Sequence, residues 1–168
     1  MEKPSKEYIS KNVNKFREQE NSFAELLEKL NYGKTTHSDP DVDYKEHWDI
    51  ELINKGKRIL IDVKAIKKIK HNDDKVNDQI HYIELKNSAG YDGWLKAGKA
   101  DCIAFEMEKQ WVIVNKNKLQ KFISEKCTDD KMYDKPMLYK HYHHNPKDDI
   151  VLVETSELIK IARKIIPK

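Results

Sequence analysis

Residues 48–66 read WDIELINKGKRILIDVKAI, with polar and apolar residues alternating on both sides of Lys55 and Gly56. This alternation predicts two β-strands joined by a tight turn, because glycine tolerates the positive φ that such turns require. Each strand has one apolar face, formed by Trp48, Ile50 and Leu52 in the first strand and by Ile59, Ile61, Val63 and Ala65 in the second. The polar faces carry the residues that could bind a ligand or take part in a reaction.

Three of those polar residues are Asp49, Asp62 and Lys64. A hairpin brings the two aspartates near each other, and the spacing of Asp62 and Lys64 puts them on one face of their strand. Two hard carboxylates can hold Mg²⁺, which polarises a phosphodiester and lowers the pKa of a bound water. A neighbouring lysine can stabilise developing charge or orient that water. The structural alternative is a surface ladder of ion pairs across the hairpin.

The segment from residue 5 to 32 predicts a long helix upstream of this hairpin. Apolar residues recur at three- and four-residue steps along one face: Ile9, Val13, Phe16, Phe23, Leu27 and Leu30. Glu20 interrupts this stripe. Two interpretations stay open: Glu20 lies at the edge of the stripe and reaches water, or it points into a polar site beneath the helix.

The remaining segments extend the prediction to an α/β or α+β fold. In chain order they predict a polar connector at 34–46, a strand at 81–87, a hairpin from strands at 101–108 and 111–115, a helix capped by Asn117, a linker at 128–136, strands at 137–144 and 150–154, and a final helix that is capped by Thr155 or Ser156 and includes Ile165.

Composition narrows the class of protein. The 168 residues are 38% hydrophobic and 36% charged, enough for one domain with a core, and no apolar run approaches a membrane span. The net charge is only +3, and three of the 32 basic residues are arginine. If the chain meets DNA, lysine-rich contacts to the backbone are expected more than base reading. Two cysteines and no apolar leader favour a cytoplasmic protein.

Taken together, Glu20 on a helix, Asp49 on a strand and the Asp62-Val63-Lys64 run resemble the PD-(D/E)XK nuclease superfamily. The similarity covers residues 15–66 and is nearest to archaeal-type Holliday junction resolvases and related phage endonucleases. It implies a restriction-endonuclease-like αβββαβ core, with a mixed central sheet flanked by helices. It also implies a DNA endonuclease that depends on Mg²⁺, for which Mn²⁺ could substitute.

On this resemblance the whole chain, 1–168, is one nuclease-like domain, with a core at about 5–127 and a strand–helix extension at about 128–168. Asp49 and Asp62 would hold the metal, with Glu20 bound directly or through water, and Lys64 would act at the attacking water or the scissile phosphate. Branched DNA is one implied substrate, and a homodimer is expected by analogy with dimeric resolvases. The competing hypothesis is a noncatalytic nucleic-acid-binding or interaction module that keeps the fold.

A second acidic-x-lysine run, Glu84-Leu85-Lys86, competes for the same role. Its distance from Asp62 is long for adjacent strands, which favours the first run, although both pairs could line one site. Lys67, Lys68 and Lys70 are candidates for DNA phosphate contacts, with a solvated loop as the alternative. His141 and His143 share a strand face but lack a cysteine partner for zinc, and Trp94 and Trp111 are predicted core residues.

Overall fold

The computed structural model describes residues 6–68 and 76–168 as helices, strands and their connections. The helices are α1 (Lys6–Lys29), α2 (Pro40–Glu46), α3 (Trp94–Ala97), α4 (Lys116–Lys126) and α5 (Thr155–Lys160). The strands are β1 (Lys34–His37), β2 (Ile50–Asn54), β3 (Lys57–Lys64), β4 (Lys67–Lys68), β5 (Val76–Asn77), β6 (Ile80–Lys86), β7 (Cys102–Glu106), β8 (Gln110–Asn115), β9 (Met132–Tyr133), β10 (His141–Tyr142), β11 (Asp149–Glu154) and β12 (Lys164–Pro167).

Most of these strands belong to two mixed sheets. The larger sheet has the order β1-β2-β3-β7-β8-β12, in which every pair is antiparallel except β3 with β7. The smaller sheet has the order β6-β11-β10-β9, and β4 and β5 form a separate antiparallel pair. The chain is therefore a mixed α/β protein with helices against its sheets, as predicted at that level.

Two apolar cores lie on opposite faces of the larger sheet. The helix-side core joins α1 to the sheet and includes Phe23, Leu27, Ile50, Ile61, Ala104 and Trp111. The sheet-side core joins the larger sheet to β6, β11 and the other helices, and includes Leu60, Ile83, Trp94, Phe105, Val112, Leu119 and Leu158. Trp94 and Trp111 are buried, so their prediction as core residues is confirmed.

The predicted hairpin is present as β2 and β3, with Ile50 opposite Ile61. Its turn uses Lys55 and Gly56, both with positive φ (47° and 77°), which matches the right-handed twist of paired strands. One detail of the prediction is wrong. Trp48 packs in the sheet-side core instead of sharing a face with Ile50, because β2 begins only at Ile50 and the strand alternation does not extend to Trp48.

The polar connector predicted at 34–46 is wrong, since this segment forms β1 and α2. The side chains of β1 are mostly exposed, so backbone pairing with β2 holds it and hydropathy gives no signal. The sequence does contain a signal for the start of α2, because Pro40, Asp41 and Asp43 all lie in its first turn. Proline and acidic residues in the first turn are typical of a helix N-terminus.

Several boundaries downstream also differ from the prediction. The helix expected to be capped by Asn117 begins two residues earlier, with Asn115 at the cap position. The predicted linker at 128–136 contains β9, and the strand expected at 137–144 shrinks to β10. The last helix ends at Lys160, and Ile165 instead lies in β12, because the neighbouring Ile166 pairs with and packs beside Trp111.

Two further features concern the setting of the protein. Among the described residues, no helix has both the length and the apolar character needed to cross a membrane. Cys102 and Cys127 are both free thiols and both buried.

Candidate functional site

The end of β3 carries a buried charge pair. Asp62 is 3% exposed, and its Oδ1 atom lies 2.7 Å from Nζ of Lys64. The same ammonium lies 4.6 Å from the centre of the Trp94 ring, so an aromatic face and a carboxylate fix its position. The other oxygen of Asp62, Oδ2, is buried and has no hydrogen-bond partner in the described part of the chain. A buried carboxylate oxygen without a partner is costly, which marks a place for a ligand.

Asp49 comes from the strand next to β3. Its backbone N–H donates to the carbonyl of Ile61 at 2.9 Å, which continues the β2–β3 pairing and puts Asp49 opposite Asp62. Its Oδ2 atom accepts a hydrogen bond from the N–H of Val63 at 2.6 Å. Burial, and then the negative charge of Asp62, raise the pKa of Asp49 well above its ordinary value. The hairpin therefore brings together the two aspartates that its sequence singled out.

Glu20 reaches the same place from α1. Burial raises the pKa of Glu20 to about 7, and the negative charges of Asp43 and Asp62 add to the effect. Its Oε2 atom lies 3.9 Å from Nδ1 of His37 on β1. Of the two interpretations of Glu20, the structure supports a side chain directed at a polar site.

Asp43 is the member of the site that sequence reasoning missed. It lies on α2, and burial, followed by the charge of Asp62, raises its pKa. A hydrogen bond with the Asp49 side chain lowers the pKa of Asp43 and so partly offsets this rise. The first-turn signal of α2 could have revealed the helix, but only the tertiary structure shows that this helix turns Asp43 toward β3.

Glu20, Asp43, Asp49 and Asp62 together form what we call the acidic cluster. Lys64 is the cation paired with it, and burial together with the mutual repulsion of the carboxyl groups raises the pKa of Glu20, Asp43 and Asp49, so the cluster resists full ionisation. A divalent cation with oxygen ligands would offset that repulsion, and Asp62 Oδ2, which has no hydrogen-bond partner among the described residues, is a free ligand atom for it. The chemistry of the residues fits Mg²⁺.

Only a small number of side chains would bind Mg²⁺ directly. Within residues 6–68 and 76–168, no group of three or more histidine, cysteine, aspartate or glutamate side chains is arranged to hold a metal. Mg²⁺ commonly takes one or two carboxylates and completes its shell with waters and substrate phosphate oxygens. Two carboxylates such as Asp49 and Asp62 would meet that requirement as direct ligands, and Glu20 would then make contact through water.

The competing run Glu84-Leu85-Lys86 lies elsewhere. It belongs to β6 of the smaller sheet, where Lys86 is exposed and pairs in register with Asp149. The main charges acting on Asp49 and Glu20 come from the acidic cluster, Lys64 and Arg17, and none comes from β6. Among the described residues, no hydrogen bond or ion pair joins this second pair to the acidic cluster.

The candidate DNA-binding lysines are only partly visible. Lys67 is exposed on β4, with its ammonium 5.9 Å from the Tyr82 ring centre. Lys68 ends β4, and Lys70 lies outside the described residues. Among the histidines, His141 Nδ1 lies 2.8 Å from Asp149 Oδ1, an acidic partner instead of a second metal-binding histidine.

Comparison with known proteins adds no further assignment. No family model, curated protein or solved structure matches this chain. The function must therefore be argued from the geometry of the acidic cluster and the order of the elements around it.

Proposed function

We propose that this protein is an Mg²⁺-dependent endonuclease that hydrolyses DNA phosphodiester bonds. The observation that carries the proposal is the placement of Asp49 opposite Asp62, with Lys64 held beside them. Two hard carboxylates and one fixed ammonium are the groups that metal-assisted phosphodiester hydrolysis needs.

The order of elements around the acidic cluster supports the same proposal. With α2 and the strands β4–β6 set aside, the chain runs through α1, the antiparallel strands β1, β2 and β3, then α3, and then β7 parallel to β3. That reduced order is similar to the αβββαβ order expected of a restriction-endonuclease-like core. The extra strands of the smaller sheet, β6 and β9–β11, lie outside that order and cover the opposite face of the larger sheet.

Each residue has a distinct part in the proposed reaction. Asp49 and Asp62 would hold Mg²⁺, which polarises the phosphodiester and favours ionisation of a bound water. Glu20, with its pKa raised to about 7, can accept a proton from water near neutral pH. Lys64 faces the developing negative charge, and its contacts with Asp62 and Trp94 keep it in place without a reorganisation cost.

The direct test is cleavage of labelled four-way-junction, duplex and single-stranded DNA by the purified chain. We expect cleavage with Mg²⁺ or Mn²⁺, none with EDTA, and none by Asp62→Asn. The matched control is Glu84→Gln, which changes the acid of the second acidic-x-lysine run and should cleave like wild type. A thermal unfolding curve for each variant shows that lost cleavage is not lost folding.

The comparison of the three DNA forms also tests substrate choice. Preference for the junction would support a structure-selective, resolvase-like enzyme. Binding of DNA that is unchanged by EDTA, with no cleavage of any form, would replace the nuclease with a noncatalytic nucleic-acid-binding module. Equal loss of cleavage in Asp62→Asn and Glu84→Gln would contradict the assignment of the site to β3.

A further inference from the structure

A cavity of about 280 Å³ opens at the end of the larger sheet opposite Lys64. It lies between the beginnings of β3 and β7, the end of β8 and the start of α4. Arg58 and Lys64 are six residues apart on β3, so the cavity and the acidic cluster are separated by about 20 Å along the strand. The cavity is much larger than one water molecule, which occupies about 30 Å³.

Two of the three arginines of the chain line this cavity, although the other basic residues of the chain are nearly all lysines. Arg58 comes from β3 and Arg163 from the residue before β12. The planar guanidinium presents paired donors that match the oxygens of a phosphate, whereas lysine offers a point charge. The presence of two arginines from distant parts of the chain in the lining of one cavity is therefore a specific feature.

Arg163 has most of its donors unused. Its backbone N–H donates to the carbonyl of Ile113 at 2.7 Å, which fixes the residue at the cavity. One side-chain nitrogen, Nη1, lies 3.5 Å from the Cys102 sulfur, a weak acceptor. Within the described ranges, 6–68 and 76–168, Arg163 forms no ion pair.

Arg58 is held in place differently. Its Nε atom contacts the Glu51 carboxylate, and its guanidinium carbon lies 5.8 Å from the centre of the Trp48 ring. These contacts use one donor and one face of the group, which leaves the terminal nitrogens for another partner.

One carboxylate also lines the cavity, and it is already engaged. Asp101 Oδ2 accepts a hydrogen bond from the N–H of Leu60 at 2.8 Å, which ties this carboxylate to the backbone of β3. Arg58 is paired with Glu51, whereas Arg163 has no carboxylate partner among the described residues, so Arg163 is the uncompensated positive charge of the lining. The Asn117 side chain and the first turn of α4 add polar donors, since Asn115 makes no side-chain cap there.

We infer that this cavity binds a phosphate group, with Arg58 and Arg163 as its principal contacts and the first turn of α4 as a supporting one. The site is separate from the acidic cluster and does not depend on the proposed nuclease activity. The ligand class is a phosphate monoester or diester, whether free, on a small molecule or in a nucleic acid.

The test is a titration of the isotope-labelled full chain with inorganic phosphate in EDTA, followed by NMR of arginine Nε and backbone amide signals. We expect saturable shifts at Arg163, Arg58 and Asn117. Arg163→Gln and Arg58→Gln should each weaken binding by about tenfold or more, because each removes a charge-assisted contact. Arg163→Lys, which keeps the charge but loses the paired donors, should recover only part of the affinity.

Lys164→Gln is the matched control, because it removes one positive charge from the neighbouring residue on β12 and should leave affinity within about twofold. Unsaturated shifts, or equal affinity in Arg163→Gln and wild type, would overturn the site. A competition with short duplex DNA then identifies the source. Displacement of inorganic phosphate by DNA indicates a nucleic-acid phosphate, and its retention indicates a free or small-molecule phosphate. Because EDTA prevents cleavage, failure here and failure of the proposed nuclease are separate results.

Discussion

The chain contains the same short pattern, acid-x-lysine, in two strands with different surroundings. In β3, Asp62 is buried beside Asp49 of the neighbouring strand, and Lys64 is fixed by Asp62 and by the Trp94 ring. In β6, Glu84 is only partly buried and Lys86 is exposed. The difference shows that the acid-x-lysine pattern forms a candidate site only where other elements of the fold place further functional residues next to it. In β3 those elements are β2, α1 and α2.

The strongest way to break this comparison is to remove each lysine in turn. Lys64→Met should reduce single-turnover cleavage of DNA by about 100-fold or more, because a fixed charge facing the transition state is lost. Lys86→Met should remain within about twofold of wild type. A large loss in Lys86→Met would mean that β6 contributes to the site after all.

The two strands should also differ in how pH affects stability. On β6, the residue that matters is His81, which is buried against Phe105. Its Nε2 atom has no hydrogen-bond partner among the described residues, and burial lowers its pKa to about 4. The unfolded chain binds the proton below about pH 6.5 and the folded chain does not. The free energy of unfolding should therefore fall by up to about 3 kcal/mol as pH drops from 6.5 to 4.

Chemical denaturation of His81→Leu across this range checks that expectation. The variant should lose this part of the pH dependence, whereas His144→Leu, at an exposed position, should keep it. Identical pH profiles for wild type and His81→Leu would show that His81 titrates normally.

Glu20 should shift stability in the opposite direction on the β3 side. Its pKa is raised from 4.5 to about 7, so the folded chain holds a proton that the unfolded chain releases. Its contribution is complete below pH 4.5 and is lost as pH rises to about 7. Linkage alone would give about 3 kcal/mol at pH 7.5, and solvent screening of the partly exposed Glu20 reduces this, so without metal Glu20→Gln should be more stable than wild type by about 2 kcal/mol at pH 7.5 and should differ least below pH 4.5.

The control for this measurement is Glu25→Gln, which removes an exposed glutamate from the same helix. It should leave the pH profile close to that of wild type. A pH-independent difference between Glu20→Gln and wild type would indicate a packing effect, and would contradict a raised pKa.

The smallest expected effect is stabilisation by metal. At Mg²⁺ about ten times above its dissociation constant, linkage adds about 1.4 kcal/mol, or roughly 3–5 °C in the midpoint of thermal unfolding. Asp49→Asn should abolish the shift and Glu84→Gln should keep it. An equal shift in all three proteins would place the bound cation outside the acidic cluster.

Two hairpins of the larger sheet could be predicted from sequence. The β2–β3 hairpin follows from the alternation of polar and apolar residues, and the β7–β8 hairpin from two short apolar runs, CIAF and WVIV, separated by a few polar residues. The strand β1 could not be predicted, because its four residues are mostly exposed and pair through the backbone alone. The strand β12 has apolar residues at spacings that also suit a helix, and only its pairing with β8 settles the choice.

The candidate site shows the same division. Asp49, Asp62 and Lys64 could be grouped from sequence because one hairpin carries them all. Asp43 could not, since its approach depends on the direction of α2, and that direction is set by tertiary packing. The separation of Glu84 from the acidic cluster likewise depends on which sheet β6 joins, and local sequence does not encode that choice.

The parallel pairing of β3 with β7 affects how the chain folds during its synthesis on the ribosome. The strand with Asp62 and Lys64 gains its β2 neighbour through a short turn, but its β7 neighbour only after residues 65–101 have been synthesised. Contacts between residues so far apart in sequence form late, because loop closure costs entropy before the contacts repay it. In a nascent chain that ends before Cys102, the strand that carries Asp62 and Lys64 therefore has one unpaired edge, and this edge is paired only once β7 has been synthesised.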